Sequence, residues 1–269
     1  MTERRLGPRP VALLCSLGCF LGSPALLTLP GCSSQSDATS GKRVTLATQF
    51  RSVDVTAAGF TTGAGYGVVL TQALLATGPL YYFQGAPIEA RGPALSVVRS
   101  AFAHPGHYQP GDNNGEMLSE WSVDLLAGPA DFPAGRGVTG QYRSATFSFG
   151  QGSAGPVSSA LDGHVVLVEG SATVLGQERP FVAFADVQDL LDATGKLVVE
   201  GCAFEEAEVR ASGTVVVTVN LPLWLDQIDF AAVTLDASGT AVLERGTSPH
   251  KAFIHGLRKA AAYRFSYEN

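Results

Sequence analysis

Cysteine is scarce in this chain of 269 residues, and its distribution is uneven. Three of the four cysteines, Cys15, Cys19 and Cys32, lie within the first 32 residues, so only Cys202 falls in the remainder. A single cysteine excludes an internal disulfide downstream of residue 32. The stability of that part must therefore come from a hydrophobic core, and the segment is long enough to bury a sizeable one.

Basic residues are also few, and they form no cluster. The chain has 18 Lys and Arg against 24 Asp and Glu, a formal net charge of −6. The first 31 residues hold three arginines and one glutamate, and without them 15 basic and 23 acidic residues leave a net charge of −8. Proteins that bind nucleic acid carry a basic patch or stripe. We therefore expect no nucleic-acid partner.

Motifs for catalysis are equally sparse. Ser153 and Ser171 are followed by small residues, but neither lies in the G-x-S-x-G elbow of a nucleophilic serine. The letters GRGVTG at 135–140 match G-x-G-x-x-G, but they follow a Pro-rich loop rather than a strand and precede a strand-like run. We therefore expect a protein that is not an enzyme.

One pair of carboxylates still suggests sugar chemistry. Asp226 and Asp229 lie close to Trp224, whose ring could pack on a sugar. Two carboxylates act together only at a suitable separation in space, which the sequence does not give. Carbohydrate binding is therefore a minor alternative, and a core role for Trp224 is the simpler interpretation.

The first 31 residues have the pattern of an export signal. MTERRLGPRP carries three arginines, the run from Val11 to Leu29 is uncharged and apolar, and small residues follow it. This order of charge, apolar run and cleavage site is that of a signal peptide. Glycine, serine and proline interrupt the run, which disfavours a retained transmembrane helix. We predict that residues 1–31 are removed.

The residues at the end of this signal resemble the lipobox of bacterial lipoproteins. Leu29-Pro30-Gly31-Cys32 has an aliphatic residue three positions before the cysteine and a small residue directly before it. The resemblance implies that Cys32 becomes the lipidated N-terminus, and acyl chains together give a stable membrane anchor. Ser33 implies, by the same resemblance, the outer membrane, with the domain on its periplasmic or surface side.

The composition changes after residue 43. Residues 32–43 begin with Cys32 and continue as small, polar residues that cannot form a core, so we predict a flexible tether. From 44 to 269, short runs rich in Val, Thr and aromatic residues are separated by Gly, Pro, Asn and Asp, as in strands and turns. Residues 173–179 are typical of a hairpin tip. We predict an all-β fold with a single β-sandwich domain at 44–269.

Signals for helices are limited to one or two short segments. ADVQDLLDATG predicts a short helix capped by Asp186, and TSPHKAFIHGLRKA predicts another with Ser248 as N-cap and Pro249 as its first residue. LPLWLDQIDF is compatible with a single turn. These helices are additions to the predicted β-sandwich.

Two of the five histidines flank a Pro-Gly pair in His104-Pro105-Gly106-His107. Proline followed by glycine is typical of a type II turn, which brings the outer residues within about 7 Å at Cα. Imidazole is a good ligand for zinc and copper, and Glu116 or Met117 could complete the shell. The alternative is a turn without metal, because no second ligand pair follows at the spacing of a zinc motif.

The remaining histidines are weaker candidates. His250 and His255 are possible further ligands, but five residues on a helix separate them by about 140°, so they cannot chelate together. His164 opens an apolar run and is interpreted as a polar residue at a strand edge. Cys202, between apolar residues, is interpreted as a small buried side chain rather than a reactive thiol.

The stretches AHPGHYQPGD, VDLLAG and GVTGQYRSA are similar to segments of uncharacterised envelope lipoproteins of bacteria. This resemblance implies that the histidine-containing stretch is a family feature, and it implies no activity. We therefore expect a membrane-anchored envelope lipoprotein with a binding role, in which the HPGH turn is a candidate copper or zinc site. The alternative is a metal-free structural or interaction module that pairs with another envelope protein.

Overall fold

The computed structural model describes residues 41–53, 59–87 and 109–269, and strands dominate this part of the chain. Its strands are β1 (Arg43–Ser52), β2 (Phe60–Thr61), β3 (Gly67–Thr77), β4 (Leu80–Phe83), β5 (Asn113–Met117), β6 (Trp121–Asp124), β7 (Ala130–Val138), β8 (Gly140–Ser148), β9 (Val166–Val174), β10 (Gln177–Ala185), β11 (Val198–Val209), β12 (Gly213–Val219), β13 (Ala241–Val242) and β14 (Tyr263–Glu268). Its α-helices are α1 (Val187–Leu190), α2 (Leu221–Leu225) and α3 (Ser248–Leu257). The all-β prediction with short helices is confirmed, and β1 begins one residue before the predicted domain start at 44.

Eight of the strands close into a barrel, in the order β1-β12-β14-β11-β8-β4-β5-β7, with β7 pairing back to β1. The predicted β-sandwich is therefore corrected to a closed barrel with an additional sheet. The closure rests on strands far apart in sequence, since β1 runs parallel to β12 and antiparallel to β7. Local alternation of apolar and polar residues is the same in a sandwich and in a barrel, so it could not distinguish them.

Aromatic side chains fill the interior of the barrel. The rings of Phe147 and Tyr263 stack at 3.9 Å between centroids, and those of Phe50 and Phe132 at 4.1 Å. Tyr82 is fully buried and makes edge contacts to aromatic rings of β11 and β14, two strands that do not pair with β4. An eight-stranded barrel is just wide enough for side chains to fill. The barrel is therefore held by a packed core.

The other strands form a six-stranded sheet in the order β13-β10-β9-β3-β2, with β6 paired to β3. Every second residue of β9 is buried, from Val166 to Val174, as expected for a sheet with one face on the core. β9 and β10 form the predicted hairpin, whose tip is Leu175 and Gly176. Both tip residues have positive φ, 52° and 79°, as a type I′ turn requires.

The helices pack between these strands and share their core. The ring centroid of Trp224 in α2 lies 6.5 Å from that of Tyr263 in the barrel. The ring centroid of Phe230, in the 3₁₀ turn after α2, lies 5.0 Å from that of Phe181 in the sheet. Gly256 lets α3 approach α2, because a Cβ there would lie 2.4 Å from the carbonyl oxygen of Trp224. Barrel, sheet and helices thus bury a single continuous apolar cluster.

α3 was predicted from its capping pattern, and its cap is displaced by one residue. Thr247, not Ser248, is the N-cap, and its hydroxyl oxygen accepts a hydrogen bond from the backbone N–H of His250. Pro249 consequently occupies the second helical position instead of the first. α1 has the predicted N-cap, Asp186, but it ends at Leu190, well before the predicted end.

Candidate functional site

The predicted histidine pair and the predicted lipidation site, His104, His107 and Cys32, lie outside the described residues. The residues on both sides of 88–108 are described, and they are tied together at one end of the barrel. The backbone N–H of Gly85 donates a hydrogen bond of 2.7 Å to the carbonyl oxygen of Pro110. The segment that carries the histidine pair is therefore attached where β4 ends and β5 begins.

The two candidate ligands on β5 face opposite sides of the strand. Met117 is fully buried in the barrel core. Glu116 lies on the outer face, where its carboxylate pairs with Arg136. Successive side chains of a strand alternate between faces, so the structure does not bring these two residues together. Of the pair, Glu116 is the side chain that an outside ligand can reach.

His250 and His255 likewise occupy different environments on α3. His250 is 3 % exposed, and its Nε2 lies 3.9 Å from a carboxylate oxygen of Asp189. His255 is exposed on the opposite side of the helix. Within residues 41–53, 59–87 and 109–269, no three His, Cys, Asp or Glu side chains are grouped so that they could hold a metal ion.

A depression of about 310 Å³ lies at the end of the barrel where β5 begins. Three neighbouring strands form it, since β5 pairs with β7 and β7 pairs with the start of β1. Their polar and charged side chains at this end line the depression: Arg43, Asn113, Asn114, Glu116 and Arg136. Below, this depression is called the barrel-end pocket.

Charge in the barrel-end pocket is concentrated on two arginines and one glutamate. Arg136 directs both Nε and one Nη at the same oxygen of Glu116, at 2.8 and 2.7 Å. Arg43 forms no ion pair with any side chain in the described part of the chain. The pocket therefore carries a formal charge of about +1 on a protein that is acidic overall.

Two glycines form part of the pocket wall, and the barrel core explains their presence. Gly115 and Gly137 are paired across β5 and β7. A Cβ at Gly137 would lie 2.5 Å from the hydroxyl oxygen of Tyr142, and a Cβ at Gly115 would lie 3.0 Å from it. That hydroxyl is within hydrogen-bonding distance of the carbonyl oxygens of Asn114 and Val138, at 2.6 and 2.9 Å. The buried tyrosine thus braces the wall from inside.

The Tyr142 hydroxyl is a permanent donor in this arrangement. Its burial raises its pKa to about 12, although the hydrogen bond to Val138 acts in the opposite direction. The phenol therefore keeps its proton at any pH near neutrality and holds the start of β5 against the end of β7.

A second polar cluster lies at the other sheet, around the start of α1. His164 Nδ1 forms a 2.6 Å hydrogen bond with Asp186, and its ring stacks on Phe184 at 4.6 Å between centroids. Arg245 donates to Asp186 at 2.5 Å and to Asp189 at 2.8 Å. The sequence predicts His164 only as a polar residue at a strand edge, because its partners Phe184 and Asp186 lie 20 and 22 positions further along the chain.

Asp189 is the most buried carboxylate of this second cluster. Burial by itself would raise its pKa, but the hydrogen bonds from Arg245 and from the Asp186 backbone N–H outweigh it, so the pKa is lowered. The cluster therefore joins charges that satisfy one another and tie α1 to the residues before α3. Its groups are used for structure, which leaves the barrel-end pocket as the stronger candidate for a ligand.

The two carboxylates considered for sugar chemistry have structural partners far away in the chain. Asp226 accepts a 2.7 Å hydrogen bond from the backbone N–H of Gly63, and Asp229 accepts one of 2.5 Å from the hydroxyl of Tyr66. Both carboxylates thus hold the turn before β3 in place. Cys202 is buried, and its thiol lies 3.3 Å from a backbone carbonyl oxygen.

None of the helices in the described ranges is long and apolar enough to span a membrane. Comparisons with protein-family models, with curated proteins and with solved structures gave no match.

Proposed function

We propose that this protein is a lipid-anchored envelope protein of a bacterium and that it binds a ligand, without catalysis, in the barrel-end pocket. The anchoring part rests on the N-terminal pattern that ends in Leu29-Pro30-Gly31-Cys32. The binding part rests on one observation: polar and charged side chains of three strands line a depression large enough for a small molecule.

The position of the pocket supports the combination of both parts. Arg43 is the first residue of β1 and also lines the pocket, and the predicted tether from Cys32 ends at this residue. Eleven residues can span at most about 40 Å when fully extended. A protein anchored at Cys32 would therefore hold the pocket end of its barrel within that distance of the membrane surface.

Anchoring is tested by fractionation of cells that express the full chain or Cys32→Ser. The lipidated chain is expected in the membrane fraction, and mass spectrometry of its N-terminal peptide should show an acylated Cys32. The variant should lose the acyl group and keep its signal peptide, because lipidation precedes cleavage in the lipoproteins that this N-terminus resembles. Cleavage of the variant at the same site, with no acyl group on the natural chain, would refute the proposed anchor.

A transition-metal site at His104 and His107 is the second candidate function. It is favoured because the residues flanking 88–108 are tied together at the barrel end that carries Glu116. One oxygen of Glu116 accepts from Arg136, and the other has no such partner among the described residues, so it could ligate copper or zinc. Met117, buried on the opposite face of β5, has no place in this version of the site.

Elemental analysis of the full chain, extracted from membranes without a tag, tests the metal. Near-stoichiometric copper or zinc is expected, with loss in the His104→Ala/His107→Ala variant and reduction in Glu116→Gln. Met117→Leu is the matched control, since it conserves volume in the core and should keep the metal. Absence of metal from the natural chain, with no change in melting temperature on adding either ion, would eliminate this candidate.

A further inference from the structure

We infer that the ligand of the barrel-end pocket is an anion with a phosphate group, held by Arg43 and Arg136. This inference rests on the proposed binding role of the pocket and names the chemical class of its ligand. The protein as a whole is acidic, so long-range attraction does not favour an anion. The specificity must come from the two guanidinium groups at the site itself.

Arg136 is held in a geometry that suits an anion. Its Nε and one Nη approach a single oxygen of Glu116, so this carboxylate occupies one edge of the guanidinium group. A guanidinium has five N–H donors arranged so that two adjacent edges can each bind an oxyanion. Because Glu116 occupies the edge that contains Nε, the edge formed by the two Nη atoms remains for a ligand.

Arg43 supplies the charge that Glu116 does not neutralise. It lines the same pocket from the neighbouring strand β1 and forms no ion pair with a described side chain. Asn113 and Asn114 also line the pocket, although the side-chain amide of Asn114 already donates to the carbonyl oxygen of Gln141 at 2.7 Å. An oxyanion between the two arginines would gain charge-assisted hydrogen bonds from both strands.

The anion could be free in solution or part of a lipid headgroup, since the tether joins the barrel at this end. Both sources offer the same phosphate chemistry to the two arginines. Titration calorimetry on the full lipidated chain in a neutral detergent can separate them, with inorganic phosphate and water-soluble dihexanoyl phosphatidylglycerol as probes. Sodium chloride at matched ionic strength corrects for screening, and glucose serves as the neutral probe.

Variants that remove a positive or a negative charge from the pocket test whether the ligand is an anion and which residues bind it. Arg43→Gln is expected to weaken phosphate binding by about tenfold or more, because it removes a charge-assisted hydrogen bond. Glu116→Gln keeps an acceptor for Arg136 but removes the negative charge, so the affinity should rise about threefold. Arg264→Gln is the matched control, since Arg264 is exposed on the same barrel near its opposite end.

The outcomes separate this inference from the proposed function. Saturable phosphate binding that is lost in Arg43→Gln and retained in Arg264→Gln supports the inference. Tighter binding of phosphatidylglycerol than of phosphate would identify a lipid headgroup as the source of the phosphate group, and the reverse would identify a free anion. Binding of glucose alone would keep the pocket as a binding site but overturn the anion. No binding of any probe would overturn both the anion and the proposed role of the pocket.

Discussion

The contact between Gly137 and Tyr142 gives a prediction whose size follows from the structure. In Gly137→Ala, the new Cβ would lie 2.5 Å from the tyrosine hydroxyl oxygen and 2.8 Å from a methyl carbon of Leu46. The tyrosine cannot move away easily, because it is fully buried and held by two carbonyl oxygens. Overpacking of this kind costs about 1–3 kcal/mol of the free energy of unfolding.

Tyr142→Phe removes the obstructing oxygen together with its hydrogen bond, which costs about 1 kcal/mol by itself. In the double variant the added methyl group occupies the space that the oxygen has left, so the two costs should not add. We expect the free energy of unfolding of the double variant to exceed the value given by adding the two single effects by about 1 kcal/mol or more. Rescue should be incomplete, because the contact with Leu46 remains.

The assay is equilibrium unfolding in urea, followed by tryptophan fluorescence, for the natural chain, both single variants and the double variant. Gly67→Ala is the control in a strand, because a Cβ there would lie no closer than 3.5 Å to its nearest neighbour. It should change stability by less than about 1 kcal/mol. Effects that add within about 0.5 kcal/mol in the double variant would refute the proposed contact.

Three further predictions concern other parts of the fold. Leu175 is 94 % exposed and has a φ of 52°, a left-handed conformation in which asparagine is less strained than leucine by about 1 kcal/mol. Leu175→Asn should therefore raise the melting temperature, and a lower melting temperature would contradict this. Because Thr247 is the N-cap, Thr247→Ala should cost about 1 kcal/mol in urea unfolding and Ser248→Ala much less, and equal costs would contradict this. The pKa of Asp189 is lowered mainly by Arg245 against the effect of burial, so its contribution to stability is present above about pH 4 and is lost as the pH falls further. Asp189→Asn should therefore flatten the acid side of the stability profile measured by unfolding between pH 2 and 6, and an unchanged slope would contradict the assignment.

Features set by neighbouring residues were predictable from the sequence. The hairpin at residues 173–179 and the helix α3 follow from a glycine turn and from a capping pattern, and both are present. The shift of the cap from Ser248 to Thr247 reflects two adjacent residues that can each accept the capping hydrogen bond. Only the backbone conformation, extended at Thr247, decides between them.

Closure of the barrel was not predictable, because it depends on which strands pair. β1 lies between β7 and β12, which are separated from it by about 80 and 160 positions in the chain. Residues of β8 show why the pattern misled: Tyr142 and Phe147 are buried in the core, but Ser144 and Thr146 are buried as well. Strands covered on both faces lose the alternation that would reveal their partners.

The candidate ligand site was not predictable from the sequence either, because it also depends on which strands pair. Arg43, Glu116 and Arg136 have no motif in common and lie on three strands that are not consecutive in the chain. Their proximity follows from the register that pairs Glu116 with Arg136 and places the first residue of β1 beside Val138. A slip of one residue in either pairing would turn one charged side chain toward the aromatic core. The glycine pair braced by Tyr142 helps to hold that register. The stability prediction for Gly137→Ala and the binding prediction for Arg43→Gln therefore test two consequences of one arrangement. Gly137→Ala should lower the affinity for the anion as well as the free energy of unfolding.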